Sequence, residues 1–83
     1  MKIKKNIAVS ENGFIFNPSS GESFSANPSG LEILNLLRQG HDKESILNHM
    51  GENYQTDSQT LERDLTDFIE TARQYHLFEH EDE

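Results

Sequence analysis

The chain has 83 residues, with 33% hydrophobic and 27% charged side chains, a composition that suits one small globular domain with one core. The formal net charge of -8 is concentrated in the C-terminal third, and such a field repels phosphate backbones and anionic lipid headgroups, so neither nucleic acid nor a membrane is an expected partner. The absence of cysteine, of a membrane-length apolar run and of an apolar stretch after the charged N-terminus argues against disulfides, thiol chemistry, a membrane span and a signal peptide, and predicts a cytoplasmic protein.

Residues 3–27 predict three short strands. Ile7 and Val9 alternate with small residues, which indicates a half-buried first strand. Asn12-Gly13 favours a hairpin turn, since both residues tolerate positive φ. Phe14-Ile15-Phe16 is apolar at every position, so we expect a middle strand that is covered on both faces.

The third strand is predicted at residues 22–27, after a proline- and glycine-containing turn. Its phenylalanine and alanine share one face and its two serines share the other. Lys4 and Lys5 lie beside the first strand, where they would protect that edge from unwanted pairing. The third strand has no lysine and no proline, so we expect its edge to be open to an added strand.

Two helices are predicted between residues 27 and 51. Asn27-Pro28 combines a good N-cap with a proline suited to the first helical position, and Gly40 is a typical stop. Asp42 is expected to cap the second helix, which ends near Gly51 or slightly later.

The third helix has the clearest periodicity in the chain. Thr56 and Gln59 have the spacing of a capping box, and Asp57 is a competing cap. Tyr75, Leu77 and Phe78 are expected to fold back onto the core. The apolar positions at helical spacing are Leu61, Leu65, Phe68, Ile69 and Ala72.

The predicted fold is therefore α+β, a winged-helix-like arrangement in which a three-stranded antiparallel meander precedes three helices. We expect residues 1–83 to form a single domain, with an ordered core of about residues 6–78 and an acidic tail at residues 79–83.

No catalytic, metal or cofactor site is predicted. Residues 76–80 match the H-x-x-E-H pattern of some zinc proteases, but no third ligand stands out, so surface histidines near a frayed helix end are the favoured interpretation. Asp64, Asp67 and Glu70 lie along one helix. Acid–base catalysis by paired carboxylates requires an environment that gives them different pKa values, and an exposed helix face does not provide one.

The sequence resembles the PqqD family, the recognition element of systems that modify ribosomally made peptides. The resemblance extends from about Ile7 to Phe78. Its most specific part is the Asn27-Pro28-Ser29-Gly30-Leu31 junction, where a strand exit, a cap and a helix start occur together. The matching segments are residues 9–18, 21–24, 27–34, 61–65 and 67–69.

This resemblance implies a non-catalytic partner protein. Family members bind the leader part of a precursor peptide and present it to a modifying enzyme, often a radical enzyme that uses S-adenosylmethionine, and the founding members serve pyrroloquinoline quinone biosynthesis. In related domains the leader adds as a strand beside the third strand, in a groove closed by the third helix. The candidate peptide-binding residues are thus Glu22, Ser23, Phe24, Ser25, Ala26, Leu61, Asp64, Leu65 and Phe68.

Each of these residues also has a simpler interpretation. An apolar stripe at helical spacing is more often core than binding site, and an acidic helix face is usually solvated. If the groove is present, Asp64 and Asp67 would suit a leader that carries lysine or arginine. Two other functions stay open: a scaffold or homodimer that pairs through the same sheet edge, and a winged-helix DNA-binding protein, which the acidic third helix disfavours.

Overall fold

The computed structural model describes residues 2–53 and 56–79, and it confirms the α+β fold with three strands before three helices. Most of the predicted acidic tail, and the last histidine of the H-x-x-E-H pattern, lie outside the described residues. The elements are β1 (Ala8–Val9), β2 (Phe14–Asn17), β3 (Glu22–Ser25), α1 (Pro28–Arg38), α2 (Lys43–Asn53) and α3 (Ser58–Gln74).

The three strands form an antiparallel sheet in the order β1-β2-β3. The first turn is a three-residue loop: the amide of Gly13 donates to the carbonyl of Ser10 at 3.1 Å, and Gly13 alone takes positive φ, at 88°. This combination of a tight turn with one left-handed residue is the common three-residue hairpin loop. Asn12 also tolerates positive φ but does not adopt it here.

Among the described residues, helices cover only one face of the sheet, so the expectation of a middle strand buried on both faces is wrong. Along β2 the side chains alternate: Ile15 is fully buried, whereas Phe14 and Phe16 keep 52% and 40% of their surface exposed. A strand points successive side chains to opposite faces, and nothing among the described residues covers the outer face.

The predicted caps are confirmed. Asn27, Asp42 and Asp57 each accept a hydrogen bond from the amide three residues later, at 2.8, 2.8 and 2.7 Å. At the start of α3, Asp57 is therefore the cap, and the alternative capping box beginning at Thr56 does not form.

The C-terminal segment folds back as expected, with Leu77 and Phe78 buried in the core. It also pairs with the N-terminal segment: Ile3 forms an antiparallel bridge with Phe78, and the amide of Lys4 donates to the carbonyl of Leu77 at 2.8 Å. This pairing brings the two ends of the described chain together beside the helices.

Two contacts, one from β3 and one from β2, fix the sheet against the end of α3. The Phe24 and Tyr75 rings stack with centroids 4.5 Å apart. The buried side chain of Asn17, the last residue of β2, donates through Nδ2 to the carbonyls of Tyr75 and His76 at 2.9 and 3.1 Å. The sheet is thus held against the end of α3 by one aromatic pair at β3 and one buried amide at β2.

Candidate functional site

The outer edge of β1 is partly satisfied by the chain itself. The amide of Ile7 donates to the carbonyl of Lys4 at 3.4 Å, and the carbonyl of Ile7 accepts from the Arg38 guanidinium at 3.3 Å. The backbone before β1 therefore turns inward, and a foreign strand would have to displace these bonds.

The outer edge of β3 is different. The amide of Ala26 donates to the carbonyl of Gly13 at 2.8 Å, so the backbone N–H of Ala26 points toward β2. Backbone groups alternate in direction along an antiparallel strand. The N–H and C=O groups of Phe24 therefore also point toward β2, whereas those of Ser23 and Ser25 point away from the sheet. Within residues 2–53 and 56–79, no hydrogen bond reaches these outward groups.

A cavity of about 250 Å³ lies between this free edge, the start of α1 and α3. We call it the β3–α3 groove. Its floor and walls combine apolar and polar side chains. The lining residues are Phe24, Ser25, Ala26, Asn27, Ser29, Gly30, Ile33, Asp64, Asp67, Phe68 and Thr71.

Five of the nine candidate site residues thus line the groove: Phe24, Ser25, Ala26, Asp64 and Phe68. Glu22 and Ser23 belong to the same strand but lie beyond the cavity.

The other two candidates, Leu61 and Leu65, are 6% and 2% exposed and pack in the core instead of lining the groove. The reason is helical geometry. One stripe of α3, which runs through Leu61, Leu65 and Phe68, faces the core, and a second stripe, at positions 64, 67, 68 and 71, faces the groove. Phe68 belongs to both stripes, so the periodicity of the sequence could not separate them.

The sequence did not identify the contribution of α1, which supplies Ser29, Gly30 and Ile33. Gly30 lets the helix start approach closely, since a Cβ there would lie 3.3 Å from a ring carbon of Phe68 and 3.3 Å from the Cβ of Ala26. A signal was present: only two residues, Ala26 and Asn27, separate the end of β3 from the start of α1, so the first turn of α1 must lie at the end of the open edge.

The groove is acidic on its α3 side. Asp64 is half-buried and Asp67 is exposed, and no hydrogen bond or salt bridge to either carboxylate is found among the described residues. None of the lining residues is basic, so two formal negative charges face the free edge of β3.

The family model "Coenzyme PQQ synthesis protein D (PqqD)" matches residues 12–77, which is most of the chain. The chain belongs to the PqqD family. The resemblance inferred from the sequence is thereby confirmed, and the β3–α3 groove is a feature of a PqqD-family domain.

Two solved structures are similar to this PqqD-family chain. One, described as "TbiB1 in Complex with the TbiA(beta) Leader Peptide", has 28% identity and a TM-score of 0.82, with 96% of each chain covered. The other, "Lasso peptide synthetase B1 complexed with the leader peptide", has 20% identity and a TM-score of 0.75, with 88% of this chain and 89% of that chain covered, and shows a shared fold. No curated protein matches the chain significantly.

Two further features are absent from the described part of this PqqD-family domain. No group of three or more His, Asp or Glu side chains there is arranged to hold a metal ion. No helix there has the length and apolar character needed to cross a membrane.

Proposed function

We propose that this PqqD-family domain binds the leader of a ribosomally made precursor peptide as an additional strand beside β3. It then presents the peptide, in the cytoplasm where such precursors are synthesised, to a separate modifying enzyme, and it contributes no chemistry of its own. The observation that carries the proposal is the outward-facing backbone of Ser23 and Ser25, which borders a cavity walled by α3. Support also comes from the similar TbiB1 structure, which is described as a complex with a leader peptide.

Strand addition gives such a domain affinity without a deep pocket. Each added backbone hydrogen bond contributes about 0.5–1.5 kcal/mol net, and each buried apolar side chain about 1.5–3 kcal/mol. Roughly four bonds and two apolar anchors, less the cost of ordering the peptide, reach the about -8 kcal/mol of micromolar binding. In the groove, Phe24, Ala26 and Phe68 are the surfaces against which apolar anchors would pack.

The enzyme that receives the peptide is proposed to be a radical enzyme using S-adenosylmethionine, because that is the class which the family resemblance implies. Binding of the peptide at one edge leaves most of the domain surface available to a second protein. The enzyme class is tested by asking whether the domain and its peptide bind such an enzyme together in one complex during size-exclusion chromatography.

The peptide-binding site is tested with a displayed library of random twelve-residue peptides, selected on the wild-type domain. Ser25→Pro removes one outward amide donor without touching the bonds to β2, a position where an edge strand tolerates proline. The matched control is Val9→Pro on the opposite edge, where the alternation also directs the amide outward. Selected peptides should bind the Val9→Pro variant like wild type and the Ser25→Pro variant about two- to tenfold more weakly, as expected for the loss of one hydrogen bond.

Amide chemical shifts locate the bound peptide independently. We expect the largest changes in residues 22–27 and 58–71 when a selected peptide is added. Peptides that bind both proline variants equally, with shifts centred elsewhere, would contradict the proposal.

A further inference from the structure

We infer that the β3–α3 groove selects a cationic leader segment, one in which a lysine or arginine lies close in sequence to an apolar anchor residue. This inference rests on the proposed function, because it concerns the same groove, and it adds the chemical class of peptide that the groove accepts. The inference rests on one observation: the cavity beside the open edge of β3 is lined both by apolar surface and by the carboxylates of Asp64 and Asp67. Neither carboxylate has a partner among the described residues.

The spacing of the residues places the charges where a bound strand would meet them. Asp64, Asp67, Phe68 and Thr71 stand at i, i+3, i+4 and i+7 along α3, so they form one continuous stripe. The stripe faces Ser25 across the cavity. A strand paired with the edge of β3 would therefore direct side chains toward a row of two carboxylates with one aromatic ring beside them.

Four other acids in the described part of the chain have structural contacts that Asp64 and Asp67 lack, whereas Glu62 and Glu70 of the same helix are unpaired but lie outside the groove. Asp42 and Asp57 cap helices. Glu79 lies 3.8 Å from the Lys2 ammonium, and Glu32 lies 3.5 Å from a ring nitrogen of His49. Asp64 and Asp67 cap nothing and pair with nothing there, so no structural contact offsets the repulsion between neighbouring negative charges.

A lysine or arginine side chain matches both parts of this surface. Its aliphatic stem can cover the Phe68 ring while its charged end reaches the carboxylates. The pair would lie partly screened from solvent by the bound strand, and a charge-assisted hydrogen bond there is stronger than one on an open surface. An acidic leader would meet repulsion at the same place.

The choice of a peptide over other cationic ligands follows from the rest of the groove. No set of three ligands suited to a metal ion is found in the described residues. The free backbone groups of Ser23 and Ser25 match an extended chain, which also carries the cation at a fixed distance from its apolar residues.

The experiment uses the same library of random twelve-residue peptides on three forms of the full chain: wild type, Asp64→Asn/Asp67→Asn and Glu62→Gln/Glu70→Gln. The last variant is the matched control, since it removes the same charge from α3 at two exposed positions outside the groove. Circular dichroism and thermal melting establish that all three are folded.

Wild type and the control should enrich lysine or arginine near an apolar residue, and the Asp64→Asn/Asp67→Asn variant should lose that enrichment. A synthetic peptide selected on wild type should bind the Asp64→Asn/Asp67→Asn variant roughly tenfold more weakly than wild type. Its affinity for the control variant should be within about twofold of that for wild type. Replacing its basic residue by glutamate should weaken binding to wild type further, and added salt should narrow the difference.

Three results would overturn the inference. If wild type selects peptides that depend on the Ser25 amide but carry no excess of basic residues, the groove binds peptides without charge selection, and the proposed function survives. Equal weakening by the two charge variants would mean that only the overall field matters. Peptides that are insensitive to the Ser25→Pro change would remove the proposed function together with the inference.

Discussion

At the residue scale, the buried side-chain amide of Asn17 connects the sheet to the end of α3. Asn17 is 1% exposed, and all of its polar atoms are used: Nδ2 donates to two carbonyls at the end of α3, and Oδ1 accepts from the amide of Ser19 at 3.0 Å. Buried polar groups are tolerated when they are paired in this way, and a lost partner leaves the others unsatisfied.

Replacing this asparagine by alanine should lower the free energy of unfolding by about 2–4 kcal/mol, because the carbonyls of Tyr75 and His76 lose their donor in a buried place. Urea unfolding measures the loss. Ser19→Ala is the control: the hydroxyl of Ser19 makes only an exposed bond with Asn6, so we expect less than about 1 kcal/mol. A similar loss in both variants would show that Asn17 is not the anchor.

The cap of α3 gives a dependence on pH. The hydrogen bond from the backbone of Thr60, followed by one from its side chain, lowers the pKa of Asp57 below its usual value of 3.8. A carboxylate with a lowered pKa in the folded state stabilises the protein above its unfolded pKa, and that stabilisation is lost as pH falls through the folded pKa.

Asp57→Asn keeps a capping side chain but does not titrate. The melting temperature of wild type relative to the variant should therefore be constant from about pH 7 to 5. It should decrease below about pH 4, where the unfolded carboxyl group binds a proton, and continue to decrease toward the lowered folded-state pKa of Asp57. Melting curves of both proteins across this range measure the difference. A difference that does not change with pH would exclude the charged form of Asp57 as the cap.

At the scale of elements, β2 separates a covered face from an open one. Ile15→Ala removes a fully buried side chain and should cost about 2–5 kcal/mol. Phe16→Ala removes a larger side chain from the outer face, where it is 40% exposed, and should cost only about 1 kcal/mol. The midpoints of urea unfolding show which variant loses more stability. A larger loss of stability for Phe16→Ala than for Ile15→Ala would mean that the outer face of β2 is covered.

Local chemistry made much of the fold predictable from the sequence. The caps at Asn27 and Asp42 and the stop at Gly40, which takes a φ of 93°, depend on neighbouring backbone atoms only. The element order and the family followed from such local signals taken together.

What the sequence could not provide depends on contacts between distant residues. Asn17 meets Tyr75 across 58 positions, and no local pattern reports that bond. The two stripes of α3 share Phe68, so choosing Leu61 and Leu65 for the groove required knowing which side of the helix faces the core. The apolar run of β2 shows no alternation, so the sequence did not reveal that its outer face is uncovered.

The charge of the whole molecule bears on the remaining alternative, a homodimer formed through the β3 edge. Two copies paired at this edge would bring together two molecules of net charge -8, with Asp64 and Asp67 of each near the contact. Electrostatic screening lengths shrink from roughly 30 Å at 0.01 M salt to roughly 3 Å at 1 M, so salt controls this repulsion.

We therefore expect a monomer of about 9.5 kDa at low ionic strength, with any self-pairing appearing only as salt is raised. Sedimentation equilibrium at several salt concentrations measures this, with Ser25→Pro and Val9→Pro as the paired variants. Association through β3 should be abolished by the first substitution and kept by the second, and a cationic peptide bound in the groove should prevent it. A dimer that is stable at low salt and unaffected by Ser25→Pro would place the self-contact elsewhere, because neither the repulsion nor the free edge would then determine it.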